Sequence, residues 1–310
     1  MDIYILTGAF GLSTLLHFVV QKVFIYLKKF DDFNYRSSHD TLATRTGGIG
    51  VFIIVFLISL FHYYKGIELF EYSLFIPLGI MFIIGVYDDF YKASFKLKFF
   101  LQIIVAKILI DQGFVISNYY GLFGLYEIPW LLAQLSTIFV FLVVVNSINF
   151  IDGIDGLAIT EVIKIIIIIE FLSESFTQLF PLGALVIASL IPLYFFNFKK
   201  NRKVFLGDAG SLLLGTLIMI YLLYVLGSEY NFNPKYMINK TQFSVLIILY
   251  PLIDLLRVFI LRIRERKSPF IADNNHIHHV LVRRFTHFQA ILLITLINVI
   301  FYSICALIYF

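Results

Sequence analysis

Apolar runs of membrane-crossing length alternate with short polar segments along the whole chain. They predict ten spans, at about 3–27, 47–64, 74–87, 97–112, 130–148, 157–172, 178–197, 210–227, 241–261 and 288–309. The third, fourth and sixth are short for a hydrocarbon layer of about 30 Å, so they tilt or begin inside a protein-lined edge. Ten spans leave nine loops that alternate in side. One face holds 28–46, 88–98, 149–156, 198–209 and 262–287; the other holds 65–73, 113–129, 173–177 and 228–240. The first face carries seventeen Lys and Arg, and the second only Lys65, Lys235 and Lys240. The positive-inside bias therefore puts the first face in the cytoplasm and both termini outside.

Composition agrees with that reading. Of 310 residues, 60% are hydrophobic and 14% charged, more apolar surface than a soluble fold of this size can hide. The expectation is an all-α polytopic integral membrane protein, one domain over residues 1–310, with its active site on cytoplasmic loops. A net charge of +4, spread along the chain, argues against a nucleic-acid partner. Cys305 is the single cysteine, which excludes a disulfide framework and a thiol metal site. Asp2 and the length of the first apolar run argue against a cleaved leader. The segment 113–129, rich in Gly and Tyr and free of Lys and Arg, reads as an external hairpin or an interfacial segment. Tyr63, Tyr64, Tyr119, Tyr120 and Trp130 suit an interfacial belt.

Four polar motifs interrupt this pattern, all at the predicted cytoplasmic face. They are Asp88-Asp89, followed by Lys92, Lys96 and Lys98; the stretch Asn146 to Ala158 (NSINFIDGIDGLA); Phe205 to Ser211 (FLGDAGS); and Asn274 to His279 (NNHIHH). A weaker fifth runs from Arg36 to Gly48. Each has a structural alternative. An acidic pair can be a solvated helix end, Asp-Gly repeats can be caps and turns, and clustered histidines can be a solvated loop. The basic residues of 198–203 and 262–267 are explained by the charge bias alone. Lys107, Glu161, Lys164 and Glu170 fall inside spans, where Glu161 and Lys164 share a helical face and can pair.

Coincidence favours chemistry. Five aspartates (Asp88, Asp89, Asp152, Asp155, Asp208) at one membrane edge repel one another unless positive charge lies among them. Hard oxygen donors without thiols suit Mg²⁺ or Mn²⁺, and Mg²⁺ takes one or two carboxylates together with substrate phosphates. Helix starts rich in small residues, at Gly47-Gly48, Asp155-Gly156 and Ala209-Gly210-Ser211, suit anions. Carboxylates, a divalent cation, lysines and histidines at the bilayer edge describe a site for a diphosphate, with a lipid phosphate as one substrate and a soluble diphosphate as the other.

In motif order, Asp88-Asp89, N-x-x-N-x-x-D-G-x-D-G-L, F-L-G-D-A-G-S and H-x-H-H, the chain resembles the polyprenyl-phosphate N-acetylhexosamine-1-phosphate transferases (glycosyltransferase family 4). That family includes the phospho-N-acetylmuramoyl-pentapeptide translocase and the enzymes that initiate O-antigen, capsule and teichoic-acid synthesis. The resemblance covers nearly the whole chain, and the segment NYRSSH looks closer to the polysaccharide initiators. It implies transfer of a sugar-1-phosphate from a UDP-N-acetyl sugar to undecaprenyl phosphate, with release of UMP and a requirement for Mg²⁺ (or Mn²⁺). It also implies a multi-pass place in the bacterial cytoplasmic membrane and suggests a homodimer. By motif position, Asp208 resembles the metal ligand. Asp88, Asp89, Asp155 and Lys98 resemble catalytic positions. Arg45, Asn146, Asn149, Asp152, Asn197, His276, His278 and His279 resemble substrate-binding ones. Leu42 and Thr44 stand where relatives carry prolines, and Asn274 where many carry arginine.

Two other classes compete. A secondary transporter would use the intramembrane charges, but its site belongs near the midplane of paired repeats, and no repeat is present. A zinc hydrolase would use the histidines, but no H-E-x-x-H pattern accompanies them. Within the resembled family, the peptidoglycan translocase is the alternative. Nothing in the residues names the sugar.

Overall fold

The computed structural model describes residues 3–30, 43–235, 239–268 and 275–309. Residues 36–42 of the fifth motif, with Leu42, and Asn274 lie outside the described residues. Twelve α-helices are described: α1 Ile3–Tyr26, α2 Gly47–Tyr64, α3 Phe75–Tyr91, α4 Phe95–Asp111, α5 Trp130–Ile151, α6 Leu157–Leu172, α7 Phe180–Asn197, α8 Gly207–Leu226, α9 Lys240–Ile247, α10 Leu249–Arg264, α11 Ile277–Leu281 and α12 His287–Tyr309. Two short strands, β1 Ala43–Thr44 and β2 Lys203–Val204, complete the list.

Each predicted span falls on a helix or, for 241–261, on the pair α9 and α10. That pair is bent by 66°. Pro251 in the first turn of α10 explains the break, because it has no N–H to continue the ladder from α9. Among the described residues, six helices are long and apolar enough to cross a membrane, or seven if the bent pair is one span. Helices α4 and α6, with 17 and 16 residues, are short, as their sequences suggest. The chain is an all-α, multi-pass membrane protein in its described residues, apart from the β1–β2 pair.

The chain divides into two compact units, Met1–Ser94 with Gln178–Leu214, and Phe95–Thr177 with Gly215–Phe310. In the first, α1, α2 and α7 pack together. Ser13 Oγ donates to Ser189 O at 3.0 Å. The His17 ring fills the space that a Cβ on Gly50 would need, 2.4 Å from it. Strands β1 and β2 pair in parallel, Ala43 with Lys203 and Thr44 with Val204. The ladder continues past them: Phe205 N donates to Thr44 O (2.8 Å), Gly47 N to Phe205 O and Gly48 N to Leu206 O (both 2.9 Å). The start of α2 and the approach to α8 are thereby one bonded seam. Small residues let the helices close on it. A Cβ on Gly48 would lie 2.1 Å from Gly210 N, and one on Gly85 2.3 Å from Asp208 O.

In the second unit α5 contacts α4, α6 and α10, and α12 contacts α10 and α11. Asn146 Nδ2 donates to Gln102 Oε1 at 2.8 Å, joining α5 to α4. The segment before α5 is a hairpin, as expected, with Tyr119 N bonded to Tyr126 O and Ile128 N to Ser117 O (both 3.0 Å). The intramembrane charges are paired. Lys164 bonds Glu161, whose carboxylate also accepts from Asn298 Nδ2 at 3.3 Å. Glu170 accepts from Thr177 Oγ1 (2.6 Å) and Tyr221 OH (3.2 Å), and Lys107 bonds Asp111. Burial of Glu161 and Glu170 is tolerable only with partners of this kind.

Candidate active site

The predicted site residues belong to both units. Arg45, Asp88, Asp89, Asn197 and Asp208 lie in the first. Lys98, Asn146, Asn149, Asp152, Asp155, His276, His278 and His279 lie in the second.

In the first unit the acidic pair closes α3 and holds α8. Asp88 Oδ1 accepts the Ala93 N–H at 2.7 Å, where Lys92 turns the chain through a left-handed conformation (φ 53°). Asp89, with a side chain only 3% exposed, reaches the other way. Its two oxygens accept the N–H groups of Asp208 (3.0 Å) and Ala209 (2.9 Å) in the first turn of α8. Those donors have no partner within their own helix, and the positive end of the helix favours a carboxylate there. Arg45 Nη1 stands 3.5 Å from the same carboxylate. Gly207 makes this contact feasible twice over. Its φ is +74°, and a Cβ would lie 2.7 Å from Asp89 Oδ2. Asn197, 4% exposed, commits its amide nitrogen to Val204 O at 2.9 Å and so fastens β2. Asp208 is left half-buried at the head of α8.

In the second unit, Lys98 is half-buried in the first turn of α4. Asn149 lies in the last turn of α5, and Asp152 is that helix's C-cap. Gly156 (φ +79°) leads into α6. Asp155, 8% exposed, has its Oδ2 2.9 Å from His287 Nδ1. The histidine motif forms α11 and the residue before it. The rings of His276 and His278 stack at 5.4 Å, and those of His278 and His279 approach to 4.4 Å. His276 and His278 are buried, whereas His279 keeps partial exposure. Burial, reinforced by the neighbouring His279, His276 and His287, holds the His278 imidazole well below the usual histidine range. Gly153 is the floor against which these rings sit, since a Cβ there would lie 2.3 Å from His278 Nε2 and 2.9 Å from His279 Nε2.

Two contributors were not predicted. Asp254 on α10, 0% exposed, accepts from His276 Nδ1 at 2.6 Å and from Ile277 N at 2.7 Å. The signal for it was an acid inside an otherwise apolar run. His287, the partner of Asp155, begins α12 where the sequence reads as the edge of a span.

The donor set can be tested against a metal. Among the described residues, no group of three or more His, Cys, Asp and Glu side chains stands ready to hold an ion unaided. A protein cage of the zinc or calcium kind is thus absent there. Single carboxylates such as Asp208 fit Mg²⁺, which retains waters and takes its remaining ligands from substrate phosphate. In the first unit a carboxylate meets a helix N-terminus and an arginine, and in the second a carboxylate meets a histidine.

The profile of glycosyl transferase family 4 matches residues 71–226, half of the chain. The chain is 30% identical to an undecaprenyl-phosphate alpha-N-acetylglucosaminyl 1-phosphate transferase of Salmonella typhi, over 94% of this chain and 79% of that protein. A Yersinia pestis protein of the same name is 32% identical over 90% of this chain and 76% of its own length. One from Pasteurella multocida is 31% identical over 93% and 80%. The match takes in the acidic pair, the Asp-Gly repeat and the Asp208 motif, and with these relatives extends over nearly the whole sequence: the chain belongs to glycosyl transferase family 4.

Proposed function

We propose that this chain transfers a sugar-1-phosphate, of the N-acetylhexosamine class, from a UDP-sugar to undecaprenyl phosphate and so initiates a cell-surface polysaccharide. The observation that carries the reading is the clamp of Asp89 on the head of α8. It makes the acidic pair and the Asp208 motif one piece of machinery in a chain whose relatives act on undecaprenyl phosphate. Phosphoryl transfer needs little covalent chemistry from the protein and much charge neutralisation.

The reaction balances simply. An oxygen of the lipid phosphate bonds to the β-phosphorus of the UDP-sugar, and the bond from that phosphorus to the bridging oxygen breaks. UMP leaves with the bridging oxygen. A phosphate monoester has a second pKa near 6, so the lipid phosphate is largely dianionic at neutral pH and needs no strong base. Asp88 borders the acceptor in this reading, and Lys98 neutralises phosphate charge. Asn149, Asp152 and Asp155 serve the nucleotide sugar with His276 and His279. Arg45 and Asp89 hold the head of α8. Asp208 would hold Mg²⁺, which supplies charge neutralisation to the diphosphate when bound.

The charge bias of the loops supports ten spans with both termini outside, and the family resemblance supports one transferase domain in the bacterial cytoplasmic membrane. The test is release of UMP from UDP-N-acetylglucosamine by purified protein. Turnover that depends on added undecaprenyl phosphate and on Mg²⁺ is expected. UMP release independent of the lipid, or none with any UDP-sugar in a panel, would overturn the reading. The transporter alternative loses its motive, because Glu161, Lys164 and Glu170 have internal partners.

A further inference from the structure

We infer that Asp254 is a positioning residue for the transfer, fixing His276 with its proton on Nδ1 so that Nε2 is the nitrogen presented to substrate. Asp254 has no exposed surface in the middle of α10. A carboxylate in that position is expensive unless each oxygen is used. One oxygen accepts the Ile277 N–H at 2.7 Å, which anchors the start of α11. That bond alone would satisfy a purely structural cap. The other oxygen lies 2.6 Å from His276 Nδ1, the separation of a strong charge-assisted bond. The tautomer of a histidine is set by what its second nitrogen meets, and an ionised carboxylate can only accept.

The ring is restrained on its other sides as well. The Phe150 ring meets it nearly edge-on at 5.6 Å, and the His278 ring stacks on it at 5.4 Å. The Arg257 guanidinium bonds the carbonyl of Asn275, the residue just before His276. Rotation that would exchange Nδ1 and Nε2 breaks the Asp254 bond and loses the stack. The sequence gives His276, His278 and His279 equal standing, but the structure singles out His276 as the ring with a dedicated carboxylate. Asp254 is farther from His278 Nδ1, at 3.9 Å.

This inference rests on the reading that the histidine motif serves the transfer, and the experiment separates the two. In the full-length protein in nanodiscs, with UDP-N-acetylglucosamine and undecaprenyl phosphate, Asp254→Asn should lower kcat/KM about tenfold or more, the scale on which small misplacements at a site act. In a His276→Ala background the same change should add no further loss, because Asp254 acts through that ring. Wild-type kcat/KM in Asp254→Asn, or losses that multiply in the double variant, would overturn the inference. If Asp254→Asn does not accumulate, ¹⁵N spectra of histidine-labelled wild-type protein decide it, with His276→Gln assigning the resonance. A protonated Nδ1 supports the inference, and a neutral ring protonated on Nε2 refutes it. A protonated Nδ1 together with full turnover in His276→Ala would leave the positioning intact and remove the functional reading of the loop.

Discussion

Asp89 on α3 accepts the backbone N–H of Ala209, in the first turn of α8, at 2.9 Å, and Asp208 N–H lies on its other oxygen at 3.0 Å. A side chain from one helix thus caps another. Replacing it by Asp89→Ala leaves two part-buried N–H donors of the first turn of α8 without their acceptor and removes the carboxylate beside Arg45. The expected loss is about 1–3 kcal/mol of stability, seen as a lower Tm in detergent, with turnover falling as Asp208 loses its platform. Asp89→Asn retains one acceptor and should fall between. An Asp89→Ala protein with wild-type Tm would contradict the capping role.

Asp208→Asn should abolish Mg²⁺-dependent turnover while leaving Tm near wild type, since its backbone N–H still reaches Asp89. A Mg²⁺ titration checks this. Activity retained at any Mg²⁺ concentration removes Asp208 as the ligand.

Gly153→Ala places a methyl 2.3 Å from His278 Nε2. The His278 and His279 rings must shift, and turnover should drop by more than about tenfold, the scale on which small misplacements near a site act. Circular dichroism should show unchanged helix content. Full activity in this variant would mean that the histidines need not sit on Gly153.

Stability should fall on mild acidification, in part through His278. Its folded pKa is held well below the usual value by burial first, and then by its histidine neighbours. Between that value and the unfolded one, about 6.5, the unfolded chain binds more protons than the folded. Stability therefore rises with pH in this window and is lost as pH falls below about 6.5; above it His278 contributes no slope. Tm measured from about pH 8 to 5 should decline more steeply in wild type than in His278→Gln. Parallel slopes would refute the assignment.

Lys164→Met alone leaves the fully buried Glu161 without its cation and should lower Tm strongly, whereas Glu161→Gln with Lys164→Met should recover most of it. Turnover per folded molecule should be unchanged in the double variant. A large loss of kcat there would give this pair a part in the chemistry.

The sequence placed the helices well, each predicted run falling on a helix or on the α9–α10 pair, because apolar runs of this length fold as helices; six or seven of those described are long and apolar enough to cross a membrane. Its edges moved where polar chemistry intervened. Helix α8 begins at Gly207 rather than 210, since Asp89 supplies an acceptor for its first turn, and α3 runs on to Tyr91 past the last apolar residue of its run. The apolar run 241–261 bends by 66° between α9 and α10, where Pro251 interrupts the ladder. Asp88, Asp89, Asp155, Asp208 and the histidines were legible as charges that a membrane edge should not hold. The partners of Asp254 and His287 were not, because each pairing joins residues distant in sequence; the acid in an apolar run was the one sign of Asp254. Strands β1 and β2 left no trace in composition, being two residues each and joined only through the fold.

That short parallel pair has a mechanical consequence. Arg45 sits between β1 and α2, and Asp208 follows β2, so the seam from Ala43 to Gly48 and from Lys203 to Leu206 acts as a splint across two loops. Neither loop can open without breaking the other's hydrogen bonds. The amides of Gly48 and Phe205 should then exchange with solvent at a common rate, and a ligand that stiffens one loop must slow exchange in both.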